Sequence, residues 1–390
     1  YRRTHVDWNT FYSLIAKANE IIALYPEGGN TDKEKGLIGQ AYAVRGMAYY
    51  YLVQLYQNCV KADGTINSDA PAVPMKLLAV EGATEEQIDA AMGRNTVKDL
   101  FNQIESDYSK AIENLQNYAP ESKNEISLQV ALGLQARYYL LSQQWSKAEA
   151  SARSAQVGYT IMDEKGLQDG FMDISNSEWM WGFDHNTETQ TTYASFFSMI
   201  SSIAPGYAGL GYNTNLIDAR LYGMMNDTDF RKQYWFNGPD GNNKYDSYGA
   251  TLPYANTKFG SDGNWTMDYV YMRAAEMVLI EAEALARQGK NTEAATALKK
   301  LMAKRDPSWN MPSVSAEDVV LQRRIELWGE GFAYFDLKRL NKGINRKYDG
   351  NNHLAGYDII VPAQDPKWTY QIPLKELQEN THITDADQNP

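Results

Sequence analysis

Cysteine is almost absent from this chain: Cys59 is the single thiol among 390 residues. One sulfur closes no intramolecular disulfide and completes no Cys-rich zinc or iron–sulfur site. Histidine is nearly as scarce. His5, His185, His353 and His382 are scattered, and no His-x-x-x-His pair sets two imidazoles on one helical face, so a histidine-built zinc site is not expected. Basic residues are outnumbered, 37 Lys and Arg against 49 Asp and Glu, which leaves a net charge of −12 and a pI near 5.0. Nucleic acid and anionic bilayers need a basic surface, so neutral or weakly charged ligands are favoured. Nothing approaches the roughly 18 consecutive apolar residues of a membrane span. The opening "YRRTHVDW" has no charged-then-apolar leader, and any export signal is expected to have been removed or never included.

Enzyme motifs are missing as well. There is no phosphate-binding glycine loop and no Gly-x-Ser-x-Gly elbow, and "PGYAGLGYN" (205–213) spaces its glycines wrongly for a dinucleotide. Asp240, Asn242, Asn243 and Asp246 in "DGNNKYDSYG" resemble calcium ligands, but Lys244 holds the fifth position and no Glu stands twelfth. A polar turn is expected there; a structural calcium ion is unsupported and no cofactor is assigned. A glycoside hydrolase needs two carboxylates facing each other across a cleft. Glu276, Glu281 and Glu283 lie in an Ala- and Leu-rich helix, where solvated or Arg-paired carboxylates are the expectation. Glu326 and Glu330, four apart on what reads as one helix, are expected to be balanced by Arg323, Arg324 and Arg339. No catalytic or metal-binding residue is assigned.

What is present is helical periodicity. "FYSLIAKANEIIALYP" (11–26) spaces Leu14, Ala18, Ile21, Ile22 and Tyr25 by threes and fours until Pro26 and Gly28-Gly29 stop it. "AYAVRGMAYYYLVQLYQN" (41–58) repeats the pattern, and the two are expected to form a hairpin. Residues 128–156 run through a turn at Ser142–Trp145 into a small-residue helix, and 271–307 do the same through Gly289. Small residues let helices approach closely, so such hairpins can stack as tetratricopeptide-like units. With helices near 96–117 and 316–340, about four hairpins and a mainly α fold are expected.

Aromatic residues are the second excess. Trp179 to Tyr271 holds 20 aromatic residues in 93 positions, against 27 in the other 297. This region, rich also in Gly, Asn, Asp, Thr and Pro, interrupts the hairpins from about 160 to 266. It is expected to be a long, loop-dominated insertion, and loops held on a rigid scaffold commonly carry function.

Four blocks then carry a family resemblance. "RRIELWGEGFAYFDLKRL" (323–340) resembles the C-terminal signature of the SusD/RagB family through Arg323 or Arg324, Glu326, Leu327, Glu330, Gly331, Asp336, Leu337 and Arg339. "AYAVRGMAYYYLVQLYQNCV" is similar to its N-terminal repeat helix, "YMRAAEMVLIEAEALARQG" to its Arg-x-x-Glu-x-x-Leu-x-x-Ala-Glu-Ala helix, and "YQIPLKELQENTHITDADQNP" to its tail. The blocks follow family order along the chain. The resemblance implies a single SusD-like domain over 1–390: a helical scaffold at about 1–160 and 266–345, a ligand-binding region at about 160–266, and a tail at 346–390. It implies a non-enzymatic lipoprotein on the extracellular face of the outer membrane of Bacteroidetes-type bacteria. Such a protein captures oligosaccharides for a SusC-type TonB-dependent transporter during polysaccharide utilization. The chain shows no lipobox cysteine and its first repeat helix comes early, so it is expected to be a truncated or processed form whose anchor lies outside it.

Independently of the resemblance, sugar rings pack their C–H faces on flat aromatic side chains while their hydroxyls seek Asp, Asn and backbone partners. The candidate ligand residues are Asp184, His185, Asn186, Tyr193, Phe196, Tyr207 and Tyr212, with Trp235 beyond them. Trp179 and Trp181 in "SEWMWGF" alternate as in a short strand and are expected in the core. Two alternatives stay open: a tetratricopeptide-type scaffold binding a peptide in its groove, and a helical glycoside hydrolase.

Overall fold

The computed structural model describes residues 2–190, 195–203, 206, 215–241 and 248–390. Its first hairpin is α1 (Arg2–Ala23) and α2 (Asp32–Tyr56). α2 starts where it does because Thr31 and Glu34 form a reciprocal cap: Thr31 Oγ1 accepts the Glu34 N–H at 3.2 Å and the Glu34 carboxylate accepts the Thr31 N–H at 2.9 Å. A two-stranded ribbon, β1 (Pro71–Pro74) with β2 (Arg94–Thr96), flanks the short α3 (Glu85–Ala90). The same capping chemistry at Thr96 and Asp99 opens α4 (Val97–Asn114). The second hairpin is α5 (Leu128–Leu141) with α6 (Trp145–Ala155).

The aromatic-rich segment follows. Its regular pieces among the described residues are a 3-10 turn at Gly166–Gln168, β3 (Trp179–Phe183), four helices of four or five residues, α7 (Phe196–Ile200), α8 (Ala219–Gly223), α9 (Phe230–Tyr234) and α10 (Tyr248–Thr251), and then β4 (Tyr269–Arg273). β4 runs directly into α11 (Ala274–Arg287), which turns at Gly289 into α12 (Asn291–Met302). Gly289 has φ +78°, a conformation that residues with a Cβ rarely adopt. The chain ends through α13 (Ala316–Glu326), α14 (Ala333–Arg339), a short ribbon of β5 (Ile344–Asn345) with β6 (Ile360–Val361), and α15 (Leu374–Glu379). No described helix is long and apolar enough to cross a membrane.

In space the helices pack in the order α1, α2, α4, α5, α6, α11, α12, so the stack continues across the interruption by placing α6 on α11. Small residues allow it. A Cβ on Gly133 of α5 would lie 2.4 Å from the Met272 sulfur, so any larger residue there would have to displace the flexible end of that side chain. One hydrophobic core fills the space beneath α2, α4 and α5, and a second lies between α11, α12 and α13.

The aromatic-rich segment is loop-dominated as expected, and its chain is held on a core in which Phe171, Trp179, Phe197, Trp235, Phe236 and Phe259 are buried together with Ile325 of α13. Helices of four or five residues cannot stand alone, and these stand on those rings. The helix expected over 316–340 is broken: Gly329 and Gly331, at φ +78° and +87°, divide α13 from α14. Glu326 and Glu330 are therefore not neighbours on one helical face.

Candidate functional site

The aromatic-rich segment leaves and rejoins the scaffold through one neck, the antiparallel ribbon of β3 and β4, in which Phe183 pairs with Tyr269 and Gly182 with Val270. A buried charge cluster holds the neck. Arg273, the last residue of β4, places Nη1 2.6 Å from both Glu178 and Glu326 and Nη2 2.7 Å from Glu330. Arg305 reaches Glu326 at 2.9 Å and Glu178 at 3.1 Å, and Arg231 reaches Asp229 at 2.7 Å and Glu326 at 3.1 Å. Lys258 reaches Glu330 at 2.6 Å. Four cations thus meet four carboxylates, all almost fully buried.

Burial opposes ionisation of Glu326, but the guanidiniums of Arg305, Arg273 and Arg231 outweigh it and hold the carboxyl well below the usual range. Glu330 is lowered in the same way, against burial, by Arg273 and Lys258. Burial depresses the Lys258 ammonium to about 8. Both glutamates are thus ion-paired as expected, but the partners are different. Arg323 serves Asp336 at 2.8 Å, and Arg339 serves Glu283 and Asp336 at 2.7 Å each. Glu276 pairs with Arg137 at 2.6 Å, and Glu281 with Lys300 and Arg153 at 2.8 and 2.9 Å. All five of these glutamates are engaged by cations, which is the wrong state for a pair of glycosidase acids.

From the neck outward the ribbon carries rings. Register shifts lie between Trp179 and Trp181 and between Trp181 and Gly182, so Trp179 is buried while Trp181 is half-buried. Trp181 lies edge-on to Tyr271 at 5.1 Å, and its indole N–H donates to the Asn124 carbonyl at 3.2 Å. Further along, His185 sits 4.7 Å from the Phe183 ring and 4.6 Å from Tyr269, and Phe196 lies 5.8 Å from Tyr269. Phe183 and Tyr271 remain 37% and 41% exposed. The result is a ridge of aromatic edges and faces on rigid backbone, with Asp184 and Asn186 exposed beside it.

The loop after the ribbon is well fastened. The Asp184 N–H donates to Asn124 Oδ1 at 2.9 Å, and the His185 N–H to Asp268 Oδ1 at 2.8 Å. Asn186 Oδ1 accepts from the N–H groups of Glu188 and Thr189, an Asx turn at an exposed residue. His185 Nδ1 lies 2.8 Å from the Thr189 carbonyl, which can only accept, so Nδ1 carries the proton. Burial raises the Asp268 carboxyl, with Asp184 and Asp173 adding to the effect against the two backbone N–H groups it accepts.

Of the candidates named from sequence, Asp184, His185, Asn186 and Phe196 gather at this ridge. Trp235 does not. It is 0% exposed, its indole N–H donates to the Leu167 carbonyl at 2.9 Å, and Phe171 packs against it at 5.5 Å. A ring closed on all sides cannot stack on a sugar, so Trp235 belongs to the core. Tyr193, Tyr207 and Tyr212 lie outside the described residues, as do Asn242, Asn243 and Asp246 of the tested calcium loop. Trp181, Phe183, Tyr269 and Tyr271 are added by the structure; their sequence signal was the every-second-residue aromatic in "EWMWGF" and "DYVYMR". No group of three His, Cys, Asp or Glu gathers as a metal site among the described residues.

The described chain is thus a stack of helical hairpins presenting a ring-bearing ribbon. Comparison with known proteins gives the class its name. The model of the SusD family matches residues 176–390, and a model described as "Starch-binding associating with outer membrane" matches residues 2–140. The chain belongs to the SusD family, whose members bind carbohydrate without catalysis. It is similar to a SusD-like protein of Formosa agariphila, at 22% identity over 87% of this chain and 73% of that protein. Among solved structures it resembles a SusD-like carbohydrate binding protein from Bacteroides vulgatus, with TM-score 0.79, 24% identity, 99% of this chain and 85% of that one. A SusD superfamily protein from Bacteroides thetaiotaomicron gives TM-score 0.80 at 21% identity, covering 98% and 85% of the two chains. A laminarin binding SusD-like protein gives 0.69 at 19% identity, with 98% and 85% covered.

Proposed function

We propose that this chain captures oligosaccharides or polysaccharide fragments on the outer face of the outer membrane, where a lipid anchor holds it, and passes them to a SusC-type TonB-dependent transporter. The observation that carries the capture step is the ridge: Phe183 and Tyr271 stay more than a third exposed on a two-stranded ribbon that a buried charge cluster holds still. Pre-placed rings bind sugar faces at little cost in conformational entropy. The laminarin-binding relative supports a glucan as one class to test first. The ligand residues in this reading are Asp184, His185, Asn186 and Phe196 with Trp181, Phe183, Tyr269 and Tyr271; Tyr193, Tyr207 and Tyr212 remain candidates from their place in sequence. The whole chain acts as one domain, the helical stack serving as mount and the region at about 160–266 as the binding part.

The test is affinity electrophoresis and titration calorimetry against a panel of polysaccharides, with reducing ends assayed in parallel. Retention without new reducing ends is expected. Release of reducing ends would favour a hydrolase, and silence across the panel would remove the capture reading. Replacing Trp181 and Tyr271 by Ala is expected to abolish retention in a folded protein. Delivery is tested separately, by co-purification of a TonB-dependent transporter from outer membranes.

A further inference from the structure

The helical stack reaches the ridge through one loop, residues 115–127 between α4 and α5. Side chains brace it. Gln40 of α2 donates to the Tyr118 hydroxyl at 3.3 Å and accepts the Ile126 N–H at 3.0 Å. The Tyr118 hydroxyl donates in turn to the Glu125 carboxylate, which also accepts the Glu121 N–H at 3.0 Å. A loop tied in this way to a packed helix and to itself holds its backbone in place before any ligand arrives.

Two adjacent residues pass that position to the ribbon. The Lys123 carbonyl accepts the Gly182 N–H at 3.1 Å, and the Lys123 ammonium donates to the carbonyls of Ile174 and Asn176 at 2.7 Å each. Asn124 takes hold of the ridge itself. Its backbone carbonyl accepts the Trp181 indole N–H at 3.2 Å, and its side-chain Oδ1 accepts the Asp184 N–H at 2.9 Å. One residue of the scaffold thus fixes both a ring of the ridge and the backbone of the acid beside it. Asn124 is exposed, and exposed groups that lose a protein partner bond to water instead, so its side-chain bond adds little to the stability of the fold. What the bond fixes is local geometry.

We infer that Asn124 is a positioning residue of the capture site. It sets the spacing between the Trp181 ring and the Asp184 carboxylate, so that a sugar packed on the ring meets the carboxylate with its hydroxyls. The inference rests on the carbohydrate-capture reading above and adds to it a residue of the helical stack, which makes the site a joint product of the stack and the aromatic-rich segment. The two bonds can be separated. The carbonyl is present whatever residue stands at 124, whereas the Oδ1 bond belongs to the side chain and can be removed alone.

The test is titration calorimetry of the full chain with a polysaccharide that the wild type retains in electrophoresis, with urea unfolding alongside. Asn124→Ala removes Oδ1 and should weaken binding about three- to tenfold, the worth of one hydrogen bond, with the urea midpoint unchanged. Asn124→Asp keeps an acceptor oxygen in the same place and should restore binding to within about twofold of the wild type. Asn124→Gln keeps the carboxamide but carries its oxygen one methylene further, so it should weaken binding as Ala does; it replaces the Ala variant if Ala lowers the midpoint. Asp184→Ala removes the carboxylate that Asn124 positions, and in that background Asn124→Ala should cost nothing further. Unchanged affinity in both Asn124→Ala and Asn124→Gln, failure of Asn124→Asp to restore binding, or full additivity with Asp184→Ala would each overturn the inference. Capture and positioning fail separately. A wild type that binds while Asn124→Ala binds equally well loses only the positioning role; a wild type that retains no polysaccharide removes the capture reading and this inference with it.

Discussion

The helical stack and the aromatic-rich segment both bury charge, but they bury it differently. In the stack, some buried charges pair singly and others in short chains along neighbouring helices: Arg45 meets Asp107 at 2.6 Å with Asn19 beside it, Arg137 meets Glu276 at 2.6 Å, and Arg339 bridges Glu283 and Asp336 at 2.7 Å each. At the neck of the aromatic-rich segment, each of Arg273, Arg305 and Glu326 touches at least two partners of opposite sign. Hairpins of periodic helices hold together chiefly through apolar faces, and their ion pairs tie one helix to the next. A segment made of short helices and irregular chain has too little regular backbone pairing to fix its own position. The shared cluster supplies that position, drawing Asp229, Arg231 and Lys258 from the segment and Arg305, Glu326 and Glu330 from the scaffold onto Glu178 and Arg273, which flank the ribbon.

The largest expected effect tests that difference. Glu326→Ala removes the carboxylate that faces Arg231, Arg273 and Arg305 and leaves three buried guanidiniums short of countercharge. A loss of about 3–5 kcal/mol is expected in urea unfolding. Trp235→Ala is expected to cost a similar ~3–5 kcal/mol by opening a cavity in the segment's core. A loss under about 1 kcal/mol for Glu326→Ala would show that the cluster is not what anchors the segment.

Double replacements then separate a pair from a network. Arg45→Met alone strands Asp107 and is expected to cost about 3 kcal/mol, most of which the added Asp107→Leu should return, since an apolar pair of similar volume often matches a buried ion pair. Arg305→Met with Glu326→Leu should not recover in this way. Arg273, Arg231 and Glu178 would each still face a missing partner. Equal recovery in both cycles would erase the distinction.

The distinction was only half visible in the sequence. Hairpins were legible because helical periodicity is local: Leu14, Ala18 and Ile21, or Ala294, Ala297 and Leu301, declare a buried face without reference to the rest of the chain. Arg273, Glu326 and Glu330 were legible as motif members, yet their partners are set by tertiary proximity, and the nearby Arg323 and Arg339 were the wrong ones. Two glycines four and two residues ahead of Ala333 broke a helix that the apolar pattern would have carried through. Composition marked the aromatic-rich segment correctly as special but could not say which rings face water. Trp235, at the end of α9, went inside against Phe171 and Leu167, while Phe183 stayed outside on a ribbon formed between residues far apart in sequence.

A pH titration compares one buried lysine from each region. Lys338, near the end of the stack, has only carbonyl partners, those of Gln54 and Trp368, and burial depresses its ammonium to about 8 from a usual 10.5. Between those values the unfolded chain holds a proton that the folded chain has released, so stability from this group rises with pH across the window. From pH 7.5 to 9.5 the gain relative to Lys338→Met is expected to reach about 2 kcal/mol. Burial pushes the Cys59 thiol up to about 12, against the lowering pull of the Lys338 ammonium, and works in the opposite direction above its usual 9. Lys258, also at about 8, differs by facing the Glu330 carboxylate. Lys258→Met should therefore be the more damaging replacement at pH 7, and a falling gap between wild type and Lys338→Met would reverse the sign assigned here.

The smallest stability effect is expected at one ring of the proposed ridge. Phe183 is 37% exposed and outside the segment's core, so Phe183→Ala should change unfolding free energy by no more than about 0.5 kcal/mol. It should nevertheless weaken retention of a bound glycan by about 0.5–1.5 kcal/mol, a few-fold to about tenfold, since a lost ring face is a lost stacking partner. Trp235→Ala is its mirror image, costly to the fold and without direct effect on ligand where the fold survives. Measuring both variants by urea unfolding and affinity electrophoresis sorts the segment's rings into those that build the mount and those that meet the sugar. Should Phe183→Ala leave retention untouched while the ridge pair Trp181 and Tyr271 abolishes it, the contact lies at the neck end of the ribbon; should all three be silent, the glycan lies elsewhere on the chain.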